Sequence, residues 1–287
     1  PSKKPSIYTY LGIFFTSAAV LLFELVLTRI FAVILWAHLA FMVVGTALFG
    51  FGLSGVFLAL RKSQKRFALS TLCIGISLAM IFAFQVILNV PFKMWQQGDM
   101  LNYLYLAIWY MALLVPFFFA GLAIAELISN YPRASNRLYG IDLIGAACGS
   151  LALVPLLPKL AAEGSIVLAA LLACIAGLFL SCKGQTLQRV VLGCLILVFA
   201  ITSVNADKWM PVTLHQAKRQ FKSAVEKGLI LATRWSALSR VDIAYSETKK
   251  NRRVVWIDGG TNHSGLIKVD GDIDSLPPLK KRSIGVA

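Results

Sequence analysis

No cysteine falls between 205 and 287, and the five the chain has, Cys73, Cys148, Cys174, Cys182 and Cys194, all lie in or at the edge of apolar blocks. None is paired as CxxC. That excludes a disulfide framework and a thiolate metal site, and leaves the cysteines as small packing residues between helices. Negative charge is also short, with 13 acidic residues against 28 lysines and arginines. Charged residues of either sign make up only 14% of the chain, while 58% is hydrophobic, and the mean hydropathy is +0.74. A single soluble core cannot hide so much apolar surface, so lipid must be the solvent for most of the chain.

The hydrophobicity is concentrated in residues 1–204 and stops there, leaving a polar, basic tail over 205–287. A spanning helix needs about 20 apolar residues. Seven blocks meet or approach that length: 7–34, 38–60, 67–90, 101–128, 138–157, 165–182 and the short 190–204. The expected fold class is therefore an all-α polytopic membrane protein of about seven transmembrane helices, with a small C-terminal α+β extension. The first block is longer than the apolar core of a signal peptide and has no cleavage site behind it, so it is read as a retained span. The chain begins at Pro1 and stops at Ala287 without a terminating pattern, as a fragment would.

The net charge of +15 suggests a nucleic-acid partner, but the placement of the charge argues against one. Ten basic residues, Lys3, Lys4, Arg61, Lys62, Lys65, Arg66, Arg133, Arg137, Lys183 and Arg189, sit in short segments beside apolar blocks. Positive charge there orients a membrane protein. The intervening loops hold only Lys93 and Lys159, so the N-terminus is expected in the cytoplasm, in a bacterial inner membrane. The partner implied is the lipid bilayer. Seven crossings would put the tail outside; a re-entrant fifth or seventh block would return it to the cytoplasm.

In the tail, 211–227 has helical spacing, with Leu214, Phe221 and Val225 on one side and lysines elsewhere. Such a helix either lies on lipid headgroups or packs on the domain C-terminal to it. Strands are expected at 240–247, 252–258 and 263–269, the last after the Gly259-Gly260 turn.

Ionisable residues inside spans are costly and mark candidate sites. Glu24 and Arg29 share the first block but lie about 140° apart around a helix, whereas Glu24 and Thr28 share a face. Either an inter-helix polar clasp or a proton or substrate site would account for them. Glu126, near Arg133 and Arg137, reads as a topological clamp, and Pro116 should kink its helix. His38 stands beside Trp36 at a predicted membrane boundary, and nothing supports a metal role for it. The densest constellation runs from Tyr139 to Ser150, where Gly145 and Gly149 form a GxxxG pair with Asp142 on the same face. The small residues of the second block, Gly45, Gly50, Gly52, Ser54 and Gly55, make it the expected packing partner. Self-association through Gly145 and Gly149 is the other use of such a face.

The segment LYGIDLIGAACGSLALVPLL (138–157) resembles the YGxDLxGAxxG stretch of membrane-embedded spermidine synthase-like proteins. SAAVLLFELVLTRIF, which contains Glu24, Thr28 and Arg29, is similar to that family's first span. RWSALSRVDIAYSE and VVWIDGG resemble the β lead-in to its nucleotide-binding domain. The resemblance implies a membrane domain that anchors or regulates an aminopropyltransferase- or methyltransferase-type Rossmann domain lying beyond this chain, with S-adenosylmethionine or its decarboxylated form as cofactor there. No cofactor is expected within these residues, and no catalytic, cofactor-binding or metal residue is assigned: no helix opens behind Gly259-Gly260, and the tail lacks a GxGxxG loop. Residues 280–286 would begin the helix that leads into that domain. The alternatives are a transporter-like domain in which Glu24, Arg29 and Asp142 line a path for a small, cationic solute, and a purely structural membrane anchor.

The loop charges carry a prediction. A cysteine probe placed at Ser63 in a cysteine-free background should resist an impermeant thiol reagent in intact cells, and labelling there would reverse the orientation.

Overall fold

The computed structural model describes residues 4–35, 40–61, 66–92, 100–182, 184–210, 223–224, 226–236, 238–245, 253–258 and 262–266. Six helices in it are long and apolar enough to cross a membrane. They are α1 (Ile7–Ile34), α2 (Phe41–Leu60), α3 (Leu69–Asn89), α4 (Met100–Asn130), α5 (Ser135–Leu180) and α6 (Thr186–Ser203). A short α7 (Ala206–Trp209) comes next, and then four strands, β1 (Ile230–Trp235), β2 (Arg240–Tyr245), β3 (Arg253–Ile257) and β4 (Asn262–Leu266). The expected 211–227 helix lies almost wholly outside the described residues, as do His38, Gly259-Gly260 and 280–286.

The helix count is six where the sequence suggests seven, because blocks 138–157 and 165–182 belong to one 46-residue element. Its backbone leaves helical geometry at Ala161 (φ 55°, ψ −175°), a conformation open chiefly to glycine. Pro155 and Pro158 precede the break and each removes a ladder hydrogen bond. The chain doubles back there. A side chain at Gly145 would meet the Phe14 carbonyl of α1, and one at Gly12, only two residues earlier on α1, would meet Leu180. Residues 145 and 180 therefore lie at nearly one level, whereas a straight helix would separate them by about 50 Å. Proline does not always break a helix: α4 continues through the buried Pro116.

α1 is the central helix, with buried residues on it from Thr9 to Ile34. Ser6 caps its start, accepting a hydrogen bond from the Thr9 amide at 3.3 Å. Helices in lipid gain little hydrophobic energy by associating, so close packing and polar contacts must hold them together. The first half of α5 lies against α1 through Gly145 and Gly149, whose Cα atoms approach the Phe14 and Ala18 carbonyls closely enough that no Cβ would fit. Aromatic rings fill the wider gaps. Trp109 of α4 stands edge-on to Phe31 at 5.6 Å and donates to the Val90 carbonyl at 3.2 Å.

The expected pairing of α2 with α5 is not found. α2 packs on α4, where a Cβ at Gly50 would lie 2.8 Å from Phe117 Cβ and Gly121 accommodates Ser54. Gly45, Gly52 and Gly55 face open space. Gly50, Gly52 and Gly55 have the spacing of a GxGxxG loop, but they lie inside an apolar helix with no strand before it, so they cannot cradle a phosphate.

The sheet is an antiparallel meander in the order β1-β2-β3-β4. Three of its strands fall where the sequence places them, and β1 is an addition. Val33, near the end of α1, is buried in one cluster with Ala244 and Trp256 of the sheet. About 30 Å of helix rise separates Val33 from Gly12, which places the sheet and the α5–α6 connection at opposite ends of the bundle.

Replacing Gly145 or Gly149 with Leu should cost at least about 1–3 kcal/mol, since the new side chain meets backbone that cannot move aside. Leu143→Val, on the exposed face, should be neutral. Folded yield in detergent reads this out, and unchanged yield in both glycine variants would refute the close approach.

Candidate functional site

Polar groups gather at two ends of the bundle, and the sequence-derived candidates divide between them. Asp142 is half-buried on the glycine face of α5, where the Ser17 hydroxyl donates to it. That hydroxyl also lies 2.9 Å from the Ile13 carbonyl. The pairing fits the GxxxG geometry: Gly145 brings the backbones together, and Asp142, three residues earlier on the same face, then reaches α1. Asp142 thus faces protein, and it clasps α1 rather than α2.

Glu24 and Arg29 lie farther along α1. About 18 Å of rise separates Ser17 from Arg29, so Asp142 and Arg29 do not share a site. Glu24 is half-buried. Thr28 turns its hydroxyl back to the Leu25 carbonyl at 2.7 Å instead of toward Glu24. Arg29 reaches out of the bundle: its Nη1 donates to the Leu238 carbonyl, in the β1–β2 turn, at 3.1 Å. Its Nε is buried with no hydrogen-bond partner among the described residues. Glu126 is buried at 6% exposure, and among the described residues no ion pair joins it to Arg133 or Arg137. Ser129 donates to its backbone carbonyl at 2.9 Å.

The strongest polar constellation in the tail was not singled out from the sequence. Alternation along β2 turns Arg240, Asp242 and Ala244 to the buried face. Asp242 is 0% exposed and Arg240 9%. Arg240 Nε and Nη2 donate to Asp242 Oδ1 at 3.1 and 3.0 Å, and Thr233 of β1 adds its hydroxyl at 2.6 Å. Asp242 Oδ2 has no partner among the described residues. Trp256 pairs with Asp242 across β2–β3, and the Arg240 guanidinium lies 5.5 Å from the Trp235 ring centroid. Asp258 accepts the Arg240 amide at 2.8 Å and fixes the start of β2. The alternation along β2 places Arg240 and Asp242 on one face, but by its pattern the apolar Val241 and Ile243 would face inward, so the burial of the charged pair was not readable from it.

A buried ion pair braces the sheet internally, and Arg29 and Val33 fasten it to α1. No group of three or more histidine, cysteine or acidic residues that could hold a metal ion occurs among the described residues. Comparison with known protein families, with curated proteins and with solved structures finds no match to this chain.

Removing one partner of a buried ion pair strands the other charge. Asp242→Leu should therefore destabilise the sheet by about 3–5 kcal/mol, while Arg240→Met with Asp242→Leu should recover much of the loss. Tryptic cleavage after Arg234 would report it, faster in the single variant and slowed again in the double; equal rates in all three proteins would show that the pair does not hold β1 to β2.

Proposed function

We propose that the helical bundle is a membrane anchor that holds a spermidine synthase-like domain, of aminopropyltransferase or methyltransferase type, at one fixed end, with the four-stranded sheet as the rigid connection. The observation that carries this reading is the seating of the sheet on α1, through Val33 and the Arg29 contact to Leu238. A flexible tether needs no such contacts. The resemblance of 138–157 and of the β segments to that family supports the same reading, and it supplies the cofactor class, S-adenosylmethionine or its decarboxylated form, for the domain beyond the sheet.

The proposal includes seven crossings, with α5 passing twice, and an N-terminus in the cytoplasm of a bacterial cell. Each half of α5 is long enough to span, at about 25 and 19 residues. Arg66, Tyr131 and Cys182 line one cleft with Leu180, which packs on Gly12, so the basic loops share the end of the bundle where α1 begins. On this topology the sheet lies outside, and a transferase carried there needs its donor supplied on that face.

Calorimetry with both forms of the nucleotide tests the anchored-transferase reading. Residues 1–287 should show no saturable binding, and the product of the complete reading frame should bind in the micromolar range. Binding by 1–287 would move the nucleotide site into the tail; no binding by the complete product would remove the transferase.

A further inference from the structure

The end of the bundle opposite the sheet contains a cleft of about 450 Å³ where four helices terminate. α3 and α6 begin there, and α4 and α5 end there. Its wall includes Arg66, Ala68, Asn130, Tyr131, Leu180 and Gln185. We propose that this cleft binds the phosphate ester of a phospholipid headgroup, with Arg66 and the first-turn amides of α3 and α6 on the phosphate and Asn130 on a hydroxyl or ammonium donor of the head alcohol.

Three independent features converge on that chemistry. The cleft is amphipathic: Leu180 and Phe67 supply an apolar wall beside polar Asn130, Tyr131 and Gln185, as suits a molecule lying at the boundary between hydrocarbon and water. Positive charge faces it from Arg66, while neighbouring arginines are engaged elsewhere. Arg61 lies 3.9 Å over the Phe67 ring, and Arg189 donates to Ser181 and Cys182 at the end of α5. Finally, Asn130 lines the cleft and its Oδ1, buried from solvent, has no partner among the described residues, so a turn of this side chain into the cleft presents an unpaired acceptor to a bound donor.

The helix ends strengthen the site. Ala68 and Gln185 are the N-cap residues of α3 and α6, and neither makes a side-chain cap. The first amides of both helices therefore lack a cap, and such ends favour anions. Gln185 is occupied in fixing their geometry. Its Oε1 accepts from the buried Ser70 hydroxyl at 2.8 Å and from the Cys182 amide at 3.0 Å, so the two helix starts are held in register before any ligand arrives.

Phosphate could come from lipid or from solution, and a titration followed by native mass spectrometry separates the two. The 287-residue chain in detergent would be titrated with dihexanoyl phosphatidylglycerol, dihexanoyl phosphatidylethanolamine, dihexanoylglycerol and inorganic phosphate. The expected result is one saturable phospholipid site, weakened about tenfold by Arg66→Gln and abolished by Ala68→Phe, which fills the cleft. Arg137→Gln, a charge outside the cleft, should bind as the parent does, and dihexanoylglycerol should not bind. Saturation by inorganic phosphate with the same dependence on Arg66 would also uphold the site, with solution as its source. Phospholipid binding that ignores both Arg66→Gln and Ala68→Phe, or equal binding of dihexanoylglycerol, would overturn it. Arg66 is exposed, so its substitution leaves folding intact and the test decisive.

Discussion

The contact between α1 and the first half of α5 is the one on which the other helices depend. In lipid, burying a leucine against another leucine gains almost nothing over burying it against an acyl chain, so specificity has to come from surfaces that fit more closely than lipid can. Gly145 and Gly149 create such a surface by letting the α1 carbonyls at Phe14 and Ala18 touch the α5 backbone. Asp142 and Ser17 then fix the rotation of one helix about the other. With this pair set, the second half of α5 folds back along α1, α3 and α6 pack on that half, and α4 fills the remaining side through Phe117 and Trp109.

How much of this was legible from the residues varies with the range of the interaction. Helix positions were legible, because twenty apolar residues in a row have one stable conformation in a bilayer and it depends on no partner. Partner choice was not. The glycines of α2 and the Ser17-Ala18-Ala19 run of α1 are equally small, and only the three-dimensional fit shows that the second meets Gly149. The merging of two blocks into α5 was hidden because Ala161, unlike glycine, does not announce a positive φ. Asp142 was legible as facing protein, since its register with Gly145 settles that from sequence alone. The Arg29 contact was not, because its acceptor is a backbone carbonyl 209 residues away. β1 escaped because its middle is exposed and its pairing with β2 shifts register between Ile230 and Ala232, which blurs the alternation that identifies a strand.

The polar groups are segregated in a way that matters for mechanism. Asp142 and the Arg66 cleft lie toward the end where α1 begins; Arg29 and the Arg240–Asp242 pair lie toward the end where it finishes. Between them, along α1, Phe23, Val26, Leu27 and Ile30 are fully buried, and the half-buried Glu24 is the charged residue among them.

The fold also imposes an order in time. α1 leaves the ribosome before α2 to α5, yet the residues that complete it, Asp142 and the two glycines, are made some 125 positions later. Until then Ser17 and the exposed α1 carbonyls face lipid or provisional neighbours, and α2, α3 and α4 enter the bilayer before the central contact exists. α2 and α3 can pack on α4 as soon as it is made, and the hairpin of α5 closes the bundle around α1 when it inserts. A pause in synthesis before Ser135 would leave those three helices able to pack and α1 without its main partner.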